Sequence, residues 1–130
     1  MKTLLPPGWP RPKGYSNGIS ARGRTIVTAG VVGWDEEEKF PSLDLAVQFG
    51  QALRNILAIL AEDGAGPEHV VRMTCYVTSV EDYRAAAREI GVAWRETMGR
   101  HYPTMAVVGV SALVEPEARV EIEATAVVPE

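Results

Sequence analysis

Two glutamates at alternate positions of one strand-like run have the spacing that best suits chemistry in this sequence. Glu121 and Glu123 lie in the alternating run of residues 119–127, and a β-strand places alternate side chains on the same face. A carboxylate held at the surface of a strand can orient or activate a water molecule. The pattern alone nevertheless favours the plainer interpretation that both glutamates are exposed strand positions.

The other residue types that take part in catalysis give weaker signals. His101 precedes the strand-like run of residues 103–110. It could act as a general base or as a cation because histidine titrates near neutral pH, although a loop histidine without a role is favoured. Cys75 is the single cysteine and lies in an apolar run, so a buried, inert thiol is favoured over a catalytic one. The spacing of the histidines and the cysteine matches no zinc pattern.

Length and charge limit the class of protein. The 130 residues fit one domain spanning 1–130, with residues 1–13 as a proline-rich N-terminal arm. The net charge of −4 and the scattered Lys and Arg residues argue against a nucleic-acid partner. No apolar run approaches the roughly 18 residues of a membrane span, and the N-terminus lacks the apolar core of a signal peptide. We therefore expect a cytoplasmic protein with no membrane partner.

The first third of the chain predicts an extended arm followed by strands. Prolines prevent the arm from being helical, and Trp9 is expected to anchor it on the domain. Turn signals at residues 17–18 and 22–23 predict a short strand and a hairpin. The β-branched residues 25–32 predict the next strand.

Two amphipathic helices are predicted further along the chain. Ser42 or Asp44 can cap the first, its apolar residues recur at spacings of three and four, and Gly64 ends it. Its apolar positions are Ala46, Phe49, Leu53, Ile56, Leu57 and Leu60, and its polar face carries Gln48, Gln51, Arg54 and Asn55. The second helix begins after Ser79 and repeats Tyr83, Ala87, Ile90, Trp94 and Met98 at helical spacing.

The strand predicted between the helices, residues 69–78, is substantially apolar on both faces. One face carries Val71, Met73, Cys75 and Val77, and the other carries Val70, Arg72, Thr74 and Tyr76. Helices covering one face and another subunit covering the other would explain this pattern. Because two more strands close the chain, two helices on one face of a mixed sheet are the simplest α+β arrangement.

Several short motifs occur in a characteristic order. They are Gly14-Tyr15, Thr28-Ala29-Gly30, the helical Gln48-x-x-Gln51-x-Leu53-x-Asn55-Ile56, Gly64-Ala65-Gly66, and the runs at residues 70–77 and 120–126. Each motif is weak alone, but in this order and spacing they resemble the RidA/YjgF family, also called endoribonuclease L-PSP. The resemblance covers about residues 14–128.

The resemblance implies a chorismate-mutase-like α+β fold, with a six-stranded mixed sheet and two helices packed on one face. It implies a homotrimer with a central barrel and with small-molecule clefts between subunits. The best-known branch hydrolyses reactive enamines and imines, such as 2-aminoacrylate, to 2-keto acids and ammonia without a metal or organic cofactor. RNA cleavage rests only on the family's second name, and the acidic charge speaks against it.

Three site residues of the family have counterparts in this chain. By the resemblance, the site tyrosine falls on Tyr15, the water-binding glutamate on Glu121 and the glycine beside the cleft on Gly30. This match selects Glu121 as the catalytic glutamate. It leaves Glu123 as a structural neighbour, expected to pair with Arg119 or Arg72.

Four neighbouring positions differ from the family pattern. The serine before the glycine is Ala29, the glutamine after it is Val31, the carboxylate-binding arginine is Met105, and the cysteine two residues further on is Val107. Losing an arginine–carboxylate bond costs about 1.5–3 kcal/mol, which weakens binding roughly ten- to a hundredfold. The replacements share a direction, since all four make the cleft more apolar.

The chemistry therefore remains open between two classes of protein. An imine hydrolase retuned to a larger or less acidic substrate would use Tyr15 and Glu121, with Trp34 as a cleft wall or a packing residue. A trimer that binds a small metabolite without turnover is the alternative, favoured by Met105 and Ala29. His101 is a further candidate for the missing cation.

Overall fold

The final strand-like run of the sequence becomes a central strand of the main sheet. The computed structural model describes residues 1–130. Its strands are β1 (Lys2–Leu4), β2 (Gly18–Ser20), β3 (Arg24–Val27), β4 (Val31–Val32), β5 (Val70–Val77), β6 (Thr104–Gly109) and β7 (Val120–Val128). Its helices are α1 (Leu45–Ala61), α2 (Val80–Ala85) and α3 (Ala87–Met98), with a 3₁₀ turn at Pro67–His69.

The main sheet has five strands in the order β3-β7-β5-β6, with β4 also paired to β7. Strands β5 and β6 are parallel and the other pairs are antiparallel, so the sheet is mixed as predicted. The predicted count of six strands was wrong, because β1 and β2 form a separate two-stranded sheet. The predicted strand 25–32 is also interrupted at residues 28–30, and its two halves pair with different parts of β7.

The N-terminal arm is held by strand pairing. Lys2 lies opposite Ser20, so β2 pairs with β1 and not with the following strand, and the predicted hairpin does not form. Trp9 is 60% exposed, so the prediction that it anchors the arm was wrong. The backbone hydrogen bonds between β1 and β2 supply that anchor instead.

Helix α1 begins as the sequence indicates, with the Asp44 carboxylate accepting a hydrogen bond from the Val47 amide. Its polar face lies only partly in solvent, where Arg54 is exposed. Gln48 is fully buried; its amide group donates to the carbonyls of Ser42 and Glu117 and accepts from the Arg119 amide. The helix thereby holds the entry to β7, because these backbone groups would otherwise be unpaired in the core.

The second predicted helix is divided into α2 and α3. The Ser79 hydroxyl caps α2 as expected, but Ala86 leaves the helical region with φ −93° and ψ 12°, which breaks the helix. Helix α3 buries Ile90, Trp94 and Met98. None of the helices combines the length and the apolar character needed to cross a membrane.

Strand β5 contains an irregularity that changes the predicted faces. Its pairing with β7 shifts register between Val70 and Arg72, so one residue is unpaired in the manner of a β-bulge. Val70 therefore joins Met73 and Cys75 on the buried face, whereas strict alternation had placed it opposite them. The prediction of a buried Cys75 is confirmed, and burial raises the pKa of its thiol to about 12.

Candidate functional site

Gly30 and Glu121 meet where the connection between β3 and β4 crosses β7. Val32 lies opposite Glu121 in the sheet, which brings the Gly30 backbone against the glutamate side chain. A Cβ atom at position 30 would lie 2.2 Å from Glu121 Oε2, so any larger residue would displace the carboxylate. We call this pair the Glu121 corner.

The two glutamates of β7 differ in their partners although they share a face. Glu123 accepts a hydrogen bond of 2.7 Å from the Tyr76 hydroxyl, and this bond raises the pKa of Tyr76. Neither Arg119 nor Arg72 forms an ion pair with Glu123, so that prediction was wrong. Glu121 has no side-chain partner within the chain, and its carboxylate is free to accept hydrogen bonds from water or a ligand.

The residues beside Gly30 occupy different environments. Ala29 is exposed, and its carbonyl accepts from the Thr28 hydroxyl. Val31 is buried in the core on the helix side of the sheet. Within one chain, Ala29 is therefore available at the Glu121 corner and Val31 is a packing residue.

Trp34 and Val107 lie outside the Glu121 corner. The Trp34 ring packs against Phe40 with 5.8 Å between centroids, and its carbonyl accepts a 2.7 Å hydrogen bond from Asn55. Of the two roles considered for Trp34, this geometry favours packing. Val107 is exposed on the edge strand β6.

Tyr15 is positioned by the residue that follows it. The Ser16 amide donates to the Pro103 carbonyl over 3.0 Å, and the Ser16 hydroxyl donates to the Tyr102 carbonyl. These bonds attach the Tyr15 segment to the start of β6. Tyr15 is 43% exposed and lines a cavity of about 570 Å³ formed by residues 15–19, 71–73 and 104–106 with Thr125.

Met105 lies between that cavity and a second one. It pairs with Met73 in the sheet and packs against the core on the side covered by the helices. The second cavity measures about 300 Å³ and lies between α3 and β6; we call it the α3–β6 cavity. Its lining residues are Gly14, Phe49, Tyr83, Ala87, Ile90, Gly91, Trp94, Arg95, Tyr102 and Met105.

His101 is held by backbone groups. Its Nε2 lies 2.6 Å from the Val70 carbonyl oxygen, to which it donates. The His101 carbonyl accepts from the Trp94 indole N–H over 3.1 Å. The first bond ties the ring to β5 and the second ties the His101 backbone to α3. His101 lines neither of the two cavities that contain Met105. His69 is half-buried, and its Nδ1 accepts from the Gly66 amide.

The chain thus brings the predicted site together in two halves. Tyr15 and Met105 share a cavity at β6, and Gly30 and Glu121 share a corner at β7. Strand β5 separates the two halves. Met105 lies on the helix-covered face, whereas Glu121 lies on the opposite one, because alternate residues of β7 are buried.

Two arginines that the sequence reasoning did not select line the cavities beside Met105. Arg72 lines the larger cavity, and Arg95 lines the α3–β6 cavity. The sequence held one indication that Arg95 lines a cavity. It follows Gly91 by four residues, and residues at that spacing are neighbours on a helix. No cluster of three or more His, Cys, Asp or Glu side chains is arranged to hold a metal ion.

The fold and the two half-sites define a small α+β protein with a mixed sheet, three helices and site residues on β6, on β7 and in the loops that pack beside them. The sequence model of the Endoribonuclease L-PSP family matches residues 10–128. The chain therefore belongs to this family, the RidA/YjgF family that its motifs resemble.

Individual relatives agree with this assignment over nearly the whole chain. A RutC family protein of Synechocystis is 31% identical over 132 aligned residues, covering 99% of this chain and 98% of the relative. The Rid family protein YyfB from Yersinia pestis has 32% identity and a TM-score of 0.82, with 98% of both chains covered. Escherichia coli TdcF, solved with bound serine, has 25% identity and a TM-score of 0.71, with 98% of this chain and 99% of TdcF covered.

Proposed function

We propose that this protein hydrolyses enamines or imines to a carbonyl product and ammonia, and that its substrate is larger or less acidic than 2-aminoacrylate. The observation that carries the proposal is the Glu121 corner. A carboxylate without a partner lies against a glycine backbone, where a water and a small planar group can approach. Glu121 and Tyr15 are the proposed catalytic residues.

The main requirement of the reaction is a water molecule held beside the iminium carbon. Glu121 accepts a proton from the water as its oxygen bonds to the iminium carbon, and the C=N electron pair moves to nitrogen. The resulting carbinolamine is protonated at nitrogen and loses its O–H proton, so the C=O bond forms as ammonia leaves. In this reaction Tyr15 contacts the substrate from the β6 side, and Gly30 leaves space for it beside the carboxylate.

The proposed active assembly is a homotrimer with ligand clefts between subunits. Its support is the separation of the half-sites, since Glu121 and Met105 lie on opposite faces of one sheet. A neighbouring copy that presents its Glu121 corner to the β6 edge would complete the site. Exposed valines, Val27 and Val108, lie on the sheet face that the helices do not cover. Sedimentation equilibrium should give three times the chain mass; a monomer would contradict the assembly.

The deciding experiment measures ammonia release from imines generated in situ by an amino-acid oxidase. Glu121→Gln should lower the rate roughly a hundredfold, because a correctly placed general base contributes about 10²–10⁴. Glu123→Gln is the matched control, since it lies on the same face of β7 and its amide oxygen can still accept from Tyr76. Equal rates for wild type and Glu121→Gln would exclude the hydrolase.

A non-catalytic, metabolite-binding trimer is the second candidate, and the apolar Met105 favours it. The serine bound to TdcF supports small-molecule binding by this fold. Binding without turnover would raise the melting temperature progressively as the ligand concentration exceeds the dissociation constant, with no ammonia released. An absence of stabilisation across a broad metabolite panel would count against this candidate.

A further inference from the structure

The α3–β6 cavity has the composition of a site for an apolar group with an anionic end. Aromatic side chains form much of its wall, and Arg95 is its only charged lining residue. We propose that this cavity binds the apolar side chain of the substrate and that Arg95 binds the substrate carboxylate. This inference rests on the proposed function and specifies its substrate as a 2-imino acid with an aromatic or long apolar side chain.

Arg95 has a free charge at this cavity. It is exposed on α3 and forms no ion pair. The residues at helical contact distance from it are Gly91, Val92, Met98 and Gly99, none of them acidic. Its Nη1 lies 3.4 Å from the position a Cβ would occupy at Gly91, so the guanidinium folds back along the helix over the cavity. A guanidinium so placed can bind a carboxylate bidentately.

The wall of the cavity suits an aromatic or long aliphatic group. Trp94 stacks on Tyr102 with centroids 6.1 Å apart and an interplanar angle of 8°, and Phe49 lies beneath Trp94 at 6.5 Å. A cavity of roughly 150 Å³ holds benzene, so the about 300 Å³ here accommodates a phenyl ring with a three-carbon acid.

Tyr83 adds a polar group to this wall. Its hydroxyl is a hydrogen-bond donor at neutral pH, and burial raises the pKa of Tyr83 further above its ordinary value. The hydroxyl has no partner within the chain and can donate to the polar end of a ligand.

Arg72 is a weaker candidate for the same role. Besides the cavity that contains Tyr15, it lines another one together with Glu123, and this carboxylate offsets part of its charge without forming an ion pair. Arg95 has no such neighbour. Met105 then belongs to the apolar wall of the site, and the substrate is larger than 2-aminoacrylate but keeps its carboxylate.

Binding measurements with ligands that carry no imine group test this assignment. Isothermal titration calorimetry on the full-length protein would compare phenylpyruvate with 2-oxobutanoate, which lacks the ring, and phenylacetone, which lacks the carboxylate. Phenylpyruvate should bind roughly ten- to a hundredfold more tightly than either, as expected for one charge-assisted bond or one buried ring. Equal affinities for phenylpyruvate and 2-oxobutanoate would overturn the cavity assignment.

Single substitutions separate the role of the Arg95 charge from the role of the space in the α3–β6 cavity. Arg95→Met should abolish the difference between phenylpyruvate and phenylacetone while leaving phenylacetone binding unchanged; a persistent difference would exclude Arg95. Arg88→Met, at an exposed arginine of the same helix, should have no effect. Gly91→Leu should block phenylpyruvate binding and leave the helix intact, because leucine favours helices more than glycine does; unchanged binding would overturn the proposal.

The binding and ammonia-release measurements together distinguish failure of the cavity assignment from failure of the proposed function. Phenylpyruvate binding without ammonia release from any imine would support the cavity and exclude the hydrolase. Ammonia release from another imine, lost in Glu121→Gln, without phenylpyruvate binding would support the hydrolase and exclude the cavity.

Discussion

The Glu121 corner and the α3–β6 cavity show two ways of building a site. The corner is formed by backbone pairing, in which β4 and β7 place a glycine against a carboxylate. The cavity is formed by side chains from α1, α2, α3 and the start of β6. Backbone geometry tolerates little change of residue, whereas a side-chain wall can be rebuilt. We therefore expect related proteins to retain the residues that bind the water and to differ in the residues that select the substrate.

The largest expected effect is on stability at the cavity. Trp94→Ala removes a buried indole and its hydrogen bond to the His101 carbonyl, which should lower the free energy of unfolding by about 3–5 kcal/mol. Urea denaturation measures this change. Val92→Ala, an exposed position of the same helix, is the control. A loss below about 1 kcal/mol would mean that Trp94 is not part of a packed wall.

The next effect concerns the corner. Gly30→Ala forces a Cβ against Glu121 Oε2, so the carboxylate must move by about an ångström. Ammonia release should fall roughly a hundredfold, as expected for such a displacement of a catalytic group, with little change in urea midpoint. Ala29→Ser, one residue away and exposed, should retain activity. Full activity of Gly30→Ala would show that the close approach has no role.

Replacing Met105 tests whether the two regions act on one substrate. Met105→Arg should raise activity on 2-aminoacrylate roughly ten- to a hundredfold, because it adds a charge-assisted hydrogen bond. Met105→Gln, with similar length and no charge, should not. Coupled assays of 2-keto acid formation would measure both variants. If the arginine has no effect, more than a cation distinguishes this site.

A pH-dependent effect probes the buried face of the sheet between the two regions. The Cys75 pKa is about 12 in the folded protein against 9.0 for a free thiol. Because the folded pKa is the higher one, its contribution to stability is fully present below pH 9 and is lost between pH 9 and 12. The free energy of unfolding should fall by about 1.4 kcal/mol per pH unit there. Cys75→Ala should lack this slope; an identical slope would place its cause elsewhere.

Local patterns predicted the helices better than the sheet. Helix α1 was predicted closely, because its apolar period and its Asp44 cap both act within the helix. The division of residues 25–32 into β3 and β4 and the bulge at Val70 depend on pairing with β7, a strand about 90 residues away in the first case. Propensity indicates that a segment is extended but not which strand it will pair with.

The candidate site was predicted in its parts but not in its arrangement. The family motif identified Tyr15, Gly30 and Glu121 as separate positions, and Gly30 and Glu121 do meet. Arg95 was not identified, because a lone arginine on a helix resembles any solvated surface charge until the cavity beneath it is known.

The sequence by itself determined the family, the α+β composition, the span of α1 and the burial of Cys75, since these depend on local periodicity and on residue chemistry. Only the tertiary structure decided that Gln48 is a buried link to β7, that Glu121 and Met105 occupy opposite faces, and that Arg95 overlies an aromatic cavity. Each of these depends on strand register and helix packing, which join residues far apart in the chain.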